Sequence, residues 1–186
     1  MLIQLKIQIN GLSNPPVWRR LMVPDNFTFS RFHQVIQAAF GWEDYHLYLF
    51  SPKGYGSKPL IKLEDEEWED EEPKNAETVK LSEYLNRKGK KFTYIYDFGD
   101  DWTHSILVEK LIDQQGIRAE LVDGQGACPP EDCGGFWGYA NLLEALADPK
   151  HEMHDEMLDW LGLEKGEDWD VNSFDLETAK AYVSTL

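Results

Sequence analysis

The chain has 186 residues, with 34 Asp and Glu against 18 Lys and Arg and a formal net charge of −16 at pH 7. A balance this acidic repels the phosphate backbone, whose affinity comes from Lys and Arg contacts, so sequence-specific nucleic-acid binding is not expected. Hydrophobic content of 42% and aromatic content of 13% suffice for one domain over residues 1–186, and no apolar run nears the ~20 residues of a membrane span.

Ile3, Leu5, Ile7 and Ile9 alternate with polar residues, which predicts a half-buried strand and not an export signal. Two cysteines then fit a reducing cytoplasm. Gly11 to Pro16 break the pattern, and Val17 to Val23 resume it as a second strand. Thr28 is placed to cap a helix with an apolar stripe of Phe32, Val35, Ile36, Ala39 and Phe40, ended by Gly41. His33 lies off that stripe and is expected in solvent. Tyr45 to Phe50 reads as a third strand. The run Glu64 to Glu72 is almost entirely acidic, so a mobile segment is expected over residues 64–75. Val79 to Asn86 reads as a short helix.

The aromatic hairpin comes next. Phe92, Tyr94, Tyr96 and Phe98 alternate along one strand, and Trp102, His104, Ile106 and Val108 along the next. A three-residue loop, Gly99 to Asp101, puts Phe98 opposite Trp102 and both apolar sets on one face. His104 then falls on that face as a packed histidine with one bonded nitrogen. Ile117 to Val122 predicts a further strand. In CPPEDCGG, Pro129 and Pro130 restrict the backbone while Gly134 and Gly135 free it, which holds Glu131 and Asp132 in a defined pose. Helices are expected over Phe136 to Ala147, over His151 to Leu161 with Met153, Met157, Trp160 and Leu161 inward, and after Ser173 or Asp175 with Leu176, Ala179, Tyr182 and Val183 inward. Strands followed by helices, without a repeating βα pattern, predict an α+β domain with a largely antiparallel sheet packed against C-terminal helices.

The segments PPVWRRLMVP, FGWEDYHLYLF, YIYDFGDDWTHSI, CPPEDCGG and DPKHEMHDEMLDWLG, in this order, resemble the plasmid pRiA4b ORF-3-like family. The resemblance covers nearly the whole chain and implies an α+β domain without an established activity. It also implies a link to plasmids or mobile elements, since some members are labelled passenger or resolvase-like proteins. A serine recombinase needs an activated serine among several arginines and a basic DNA-binding helix. This chain has five arginines and no basic tail. The family pattern, with valine at the position of Cys133 in many relatives, implies that this cysteine is dispensable.

The candidate binding residues are Asp100, Asp101, His104, Glu131 and Asp132. The hairpin tip and the CPPEDCGG loop are expected at one end of the sheet, as a single acidic patch. Carboxylates gathered this way recruit a cation or a basic partner. One C-x4-C pair without a second is poor zinc spacing, whereas Asp100, Asp101, Glu131 and Asp132 suit a hard divalent cation. No cofactor is required by any motif. No nucleophile is paired with a base, so a binding module for an unidentified protein partner is favoured over an enzyme; the alternative is a divalent-metal-dependent enzyme built on the same patch. Oligomeric state is left open.

Overall fold

The computed structural model describes residues 1–63 and 73–186, so the acidic run 64–72 lies outside the described residues. The strands are β1 (Leu2–Ile9), β2 (Trp18–Pro24), β3 (Tyr48–Ser51), β4 (Ile61–Lys62), β5 (Lys74–Asn75), β6 (Lys91–Tyr96), β7 (Trp102–Ile112) and β8 (Glu120–Gln125). They form one sheet in the order β5-β4-β3-β6-β7-β1-β2-β8. Neighbours pair antiparallel except β4 with β5. Lys74 and Asn75 are therefore strand residues, although the sequence placed them in a mobile segment. The helices are α1 (Phe29–Phe40), α2 (Leu81–Tyr84), α3 (Gly135–Ala147), α4 (His154–Leu161) and α5 (Leu176–Val183). The α+β class with a largely antiparallel sheet is as expected. Among the described residues no helix is long and apolar enough to cross a membrane.

The core lies between one face of the sheet and the helices. The alternating residues of β1 are buried, as is the whole predicted stripe of α1. Thr28 Oγ1 accepts the Arg31 N–H at 3.2 Å, and Gly41 closes α1 in the left-handed conformation with φ 84°. Phe29 and Phe32 meet Phe50 of β3 at centroid separations of 5.0 and 5.8 Å. Tyr139 and Leu142 of α3 and Val183 of α5 complete the same cluster.

Several expectations need correction. Tyr96 pairs with Trp102, Tyr94 with His104 and Phe92 with Ile106, so the hairpin connection has five residues, Asp97 to Asp101. The shift is two positions, which preserves the face of every side chain except Phe98. Phe98 packs instead with Leu49, Leu60 and Ile95 on the opposite side. The cause is Asp97, which adopts φ 57°, accepts the Gly99 N–H on Oδ1 at 2.9 Å and accepts the Asp101 N–H on its carbonyl at 2.7 Å. Ile117 is outside β8 and exposed, because the strand begins only at Glu120. Met153 precedes α4, and it and Trp160 are exposed; Leu158 is the buried residue of that helix. Tyr182 is likewise exposed; Val183 is the buried residue of α5, with Leu176 and Ala179 packed partly buried against the core as expected.

His33 is the largest correction, being buried in α1 and not in solvent. Its ring stacks on Tyr48 at 3.6 Å. Nε2 lies 2.6 Å from Asp44 Oδ1 and Nδ1 lies 2.8 Å from the Tyr94 hydroxyl. Gln37 closes the circuit: its Nε2 donates to the Tyr94 hydroxyl at 2.9 Å, and its Oε1 accepts the Asp44 N–H at 3.1 Å. A histidine off the apolar stripe is buried here because polar partners meet it on both nitrogens.

Candidate functional site

Three connections converge at one end of the sheet: residues 42–46 after α1, the hairpin tip 97–101, and residues 129–135 before α3. Polar ties hold them together. Trp42 Nε1 donates to the Pro129 carbonyl at 2.9 Å. The Tyr96 hydroxyl donates to Glu131 Oε1 and accepts the Tyr45 N–H at 3.0 Å, while Glu131 Oε2 accepts the Glu43 N–H at 2.8 Å. Burial, then the bond to Glu131, raises the Tyr96 pKa, so this hydroxyl remains a donor. Asp100 Oδ2 accepts the Gly134 N–H at 3.1 Å. A Cβ on Gly135 would stand 2.2 Å from the Asp100 carbonyl oxygen, so the hairpin tip and the CPPEDCGG loop touch where only glycine fits.

Among the described residues, the non-glycine residues with positive φ are Asp44, Asp97, Asp101 and Asp132, at 60°, 57°, 56° and 58°. All four lie in these connections. Aspartate tolerates the left-handed region better than most residues, and backbone strain concentrates where side chains must be aimed.

Two of these aspartates flank His46. Its Nε2 lies 3.0 Å from Asp132 Oδ1 and 3.7 Å from Asp97 Oδ2, yet it makes no hydrogen bond. Asp132 Oδ1 is near enough to bond and therefore stands off the axis of the ring nitrogen, while Asp97 Oδ2 is beyond hydrogen-bond distance. One ligand atom from each residue can be chosen so that all three lie within 4.8 Å of one another. Ligands about 2.1 Å from a shared ion stand roughly 3 to 3.5 Å apart, at angles too oblique for hydrogen bonds among themselves. Asp97 is nearly buried, its Oδ1 is engaged by Gly99, and Oδ2 is left toward His46. The imidazole packs edge-on to Tyr96 at 5.8 Å. Asp132 is the exposed member, with a side chain 65% accessible. A cleft of about 450 Å³ opens beside His46, and its walls include His33, Asp44, Tyr45 and Tyr48.

The predicted residues thus separate. Asp100 and Asp101 sit at the hairpin tip, with Asp100 tied to the CPPEDCGG loop and Asp101 beside Thr103 and Tyr55. Burial, then the charge of Asp101, pushes the Tyr55 pKa up to about 12. Glu131 has both oxygens bonded and acts as a clasp. Asp132 stands beside His46, which Asp97 approaches as well. His104 lies in the core against Phe40, Trp42 and Tyr94, with both ring nitrogens lacking a hydrogen-bond partner. Burial drives its pKa down to about 3, opposed weakly by the backbone of Trp102 and Tyr94. Its nitrogens make no hydrogen bond of full geometry, and the polar contacts that remain are with the backbone of Trp102 and Tyr94. His46 was missed by sequence reasoning because Tyr45 to Phe50 read as one strand; β3 begins only at Tyr48, which leaves His46 in a connector.

Both cysteines are free. Burial is the main cause raising each thiol, and Cys133 reaches about 12, so neither supplies a thiolate at neutral pH.

The same sequence pattern recurs elsewhere. An uncharacterized protein, y4hQ, from Sinorhizobium fredii (strain NBRC 101917 / NGR234) is 44% identical over 162 residues, covering 86% of this chain and 80% of that protein. A protein of unknown function from Methanosarcina mazei Go1, MM3350, has a crystal structure that superposes with a TM-score of 0.77 at 37% identity, over 95% of this chain and 96% of that one. The family described as Plasmid pRiA4b ORF-3-like protein matches residues 1–178, and the chain belongs to that family.

Proposed function

We propose that this domain is a divalent-cation-binding module, with His46, Asp97 and Asp132 as protein ligands and the remaining coordination positions open to an oxyanionic ligand. The observation that supports it is the approach of His46 Nε2 to Asp132 Oδ1 and Asp97 Oδ2 without hydrogen bonding. One nitrogen and two carboxylate oxygens suit Mn²⁺ or Zn²⁺ better than Ca²⁺ or Mg²⁺, which prefer oxygen ligands alone. The charge of −16 argues against duplex DNA as the ligand. The link to plasmids that the family name carries, and its extension to mobile elements, is part of this proposal and sets no ligand.

Calorimetric titration of chelator-treated protein with Mn²⁺ and with Zn²⁺ tests the reading. One saturable site per chain is expected for at least one of them, and at about a hundredfold excess over Kd the ligand adds about 2.7 kcal/mol of stability. His46→Ala should weaken binding tenfold or more, while Asp101→Asn should leave it within about twofold. No saturable binding, or binding indifferent to His46→Ala, refutes the assignment. A second reading, metal-dependent hydrolysis, is favoured by the Asp44–His33 pair on the wall of the adjoining cleft. Metal-dependent turnover of bis-p-nitrophenyl phosphate that is lost in Asp44→Asn would move the assignment there.

A further inference from the structure

A second cavity is separate in character from the histidine cluster. It is a groove of about 680 Å³ between α3 and α4. Its floor is apolar, formed by Leu142 and Ala145 of α3 and Met157 of α4. Met153 and Trp160 stand at its edge, 40% and 47% exposed, where a monomer gains nothing from displaying them. The rim is acidic: Glu144, Glu152 and Glu156 line it, and Asp132 reaches it from the CPPEDCGG loop. Among the described residues no lysine or arginine forms a salt bridge with any of these four. The last third of the chain, 127–186, holds 14 acidic and three basic residues, so the surrounding field has the same sign.

We propose that this groove docks a basic amphipathic helix of a partner protein. Two helices with an empty channel between them offer the ridges and grooves that a third helix fills. Met157 in the floor and Met153 and Trp160 at the edge make an adaptable apolar surface. The carboxylate rim selects for Lys and Arg on the flanks of the incoming apolar stripe and steers them from a distance. The groove follows α4, whose eight residues span about 12 Å. It therefore reads two to three turns of the partner, with apolar side chains at i, i+3, i+4 and i+7. The proposal does not depend on the cation site. Asp132 is the one residue common to both.

The test uses the full chain and methyl-labelled methionine. The sequence has four methionines, so Met153 and Met157 report on the groove while Met1 and Met22 report on the opposite end of the chain as internal controls. The probe is a helical Leu–Lys peptide with its leucines at i, i+3, i+4 and i+7. A Leu–Glu peptide of the same pattern and a Ser–Lys peptide of the same charge are the comparisons. The Leu–Lys peptide should shift the Met153 and Met157 methyls saturably and leave Met1 and Met22 unmoved. The combined substitution Glu144→Gln, Glu152→Gln, Glu156→Gln, all on the surface, should weaken it about tenfold and flatten its salt dependence. Trp160→Ala should weaken it by a similar factor without changing that salt dependence. Three results overturn the proposal: equal binding of the Ser–Lys peptide, equal binding of the Leu–Glu peptide, or shifts that spread to Met1 and Met22. Sedimentation that shows a dimer closing over Met153 and Met157 also overturns it, because a second copy would then be the occupant.

Discussion

The segment from Gln125 to Gly135 is held in opposite ways at its two ends. At its start, Arg19 of β2 is buried and four of its five N–H donors are bonded. Nε donates to the Ala39 carbonyl at 2.9 Å, Nη1 to the carbonyls of Trp18 and Gln125 at 2.9 Å each, and Nη2 to that of Gly126 at 3.1 Å. The guanidinium lies over Phe174 at 3.7 Å and near Phe40 at 4.9 Å. Burial lowers its pKa only to about 10, so it stays cationic at neutral pH. The carbonyl of Ala39, at the C-terminal end of α1, is a favourable partner for that charge. At the far end, His46 is met by two carboxylates and bonds to neither. A saturated polar cluster locks a loop in place, whereas an unsaturated one faces outward with capacity to spare.

If that contrast is right, breaking the closed end should damage folding and nothing else. Arg19→Ala opens a void beside Phe174, strands four carbonyl acceptors and removes the tie between α1, β2 and β8. The expected loss is about 3 to 5 kcal/mol, read from the denaturation midpoint. If the variant still folds, its Mn²⁺ affinity should stay within about threefold of wild type at low temperature. A stability loss below about 1 kcal/mol would mean that the cluster is not the lock described.

The contrast can be sharpened with the other unsatisfied histidine. Neither nitrogen of His104 makes a well-formed hydrogen bond, yet the ring is sealed in the core, where no ion reaches it. Its folded pKa of about 3 lies below the ordinary value of 6.5. Below pH 6.5 the unfolded chain binds a proton that the folded chain refuses, so stability falls as pH drops, by up to about 1.4 kcal/mol per unit, until pH nears 3. His104→Leu removes this slope and two poorly bonded buried nitrogens. Its stability at pH 7 should equal or exceed wild type by about 1 kcal/mol, and its advantage should widen toward pH 4. Parallel stability curves for the two proteins from pH 7 to 4 would contradict the burial of a neutral ring.

These elements were unequally legible in the sequence. Period-two patterning placed β1 and the hairpin faces, because burial of one face specifies which residues share it. The hairpin turn was misjudged by two residues because pattern parity cannot distinguish a three-residue loop from a five-residue one, and the left-handed Asp97 that decides it leaves no periodic trace. The meeting of Asp100 with Gly134 and Gly135 was anticipated from where the two loops leave the sheet. His33 and His46 were not. Each is set by partners distant in the chain: Tyr94 for His33, Asp97 and Asp132 for His46. One-dimensional spacing carries no signal for such pairs. Glu131 looked like a free carboxylate for the same reason, since the Tyr96 hydroxyl that engages it lies 35 residues earlier.

The smallest expected effect tests whether the open end is an oxygen and nitrogen site or a thiolate site. Cys133 neighbours Asp132 in sequence, and a reader of CPPEDCGG would pair its two cysteines as soft-metal ligands. Burial pushes the Cys133 thiol up to about 12 and raises that of Cys128 further, with Asp100 next among the causes at Cys133. A protonated thiol beside a carboxylate is a small apolar filler, not a ligand. Its sulfur has only a long contact of 4.0 Å to the Gly135 carbonyl. Valine is larger by about one methyl group, which a half-buried position accommodates, so Cys133→Val should change stability by less than about 1 kcal/mol. It should also leave Zn²⁺ and Mn²⁺ affinities within about twofold, whereas Asp97→Asn should reduce both. A variant that keeps its fold but loses Zn²⁺ selectively would place sulfur in the coordination sphere, and would make the CPPEDCGG loop, not the left-handed aspartates, the source of metal selectivity.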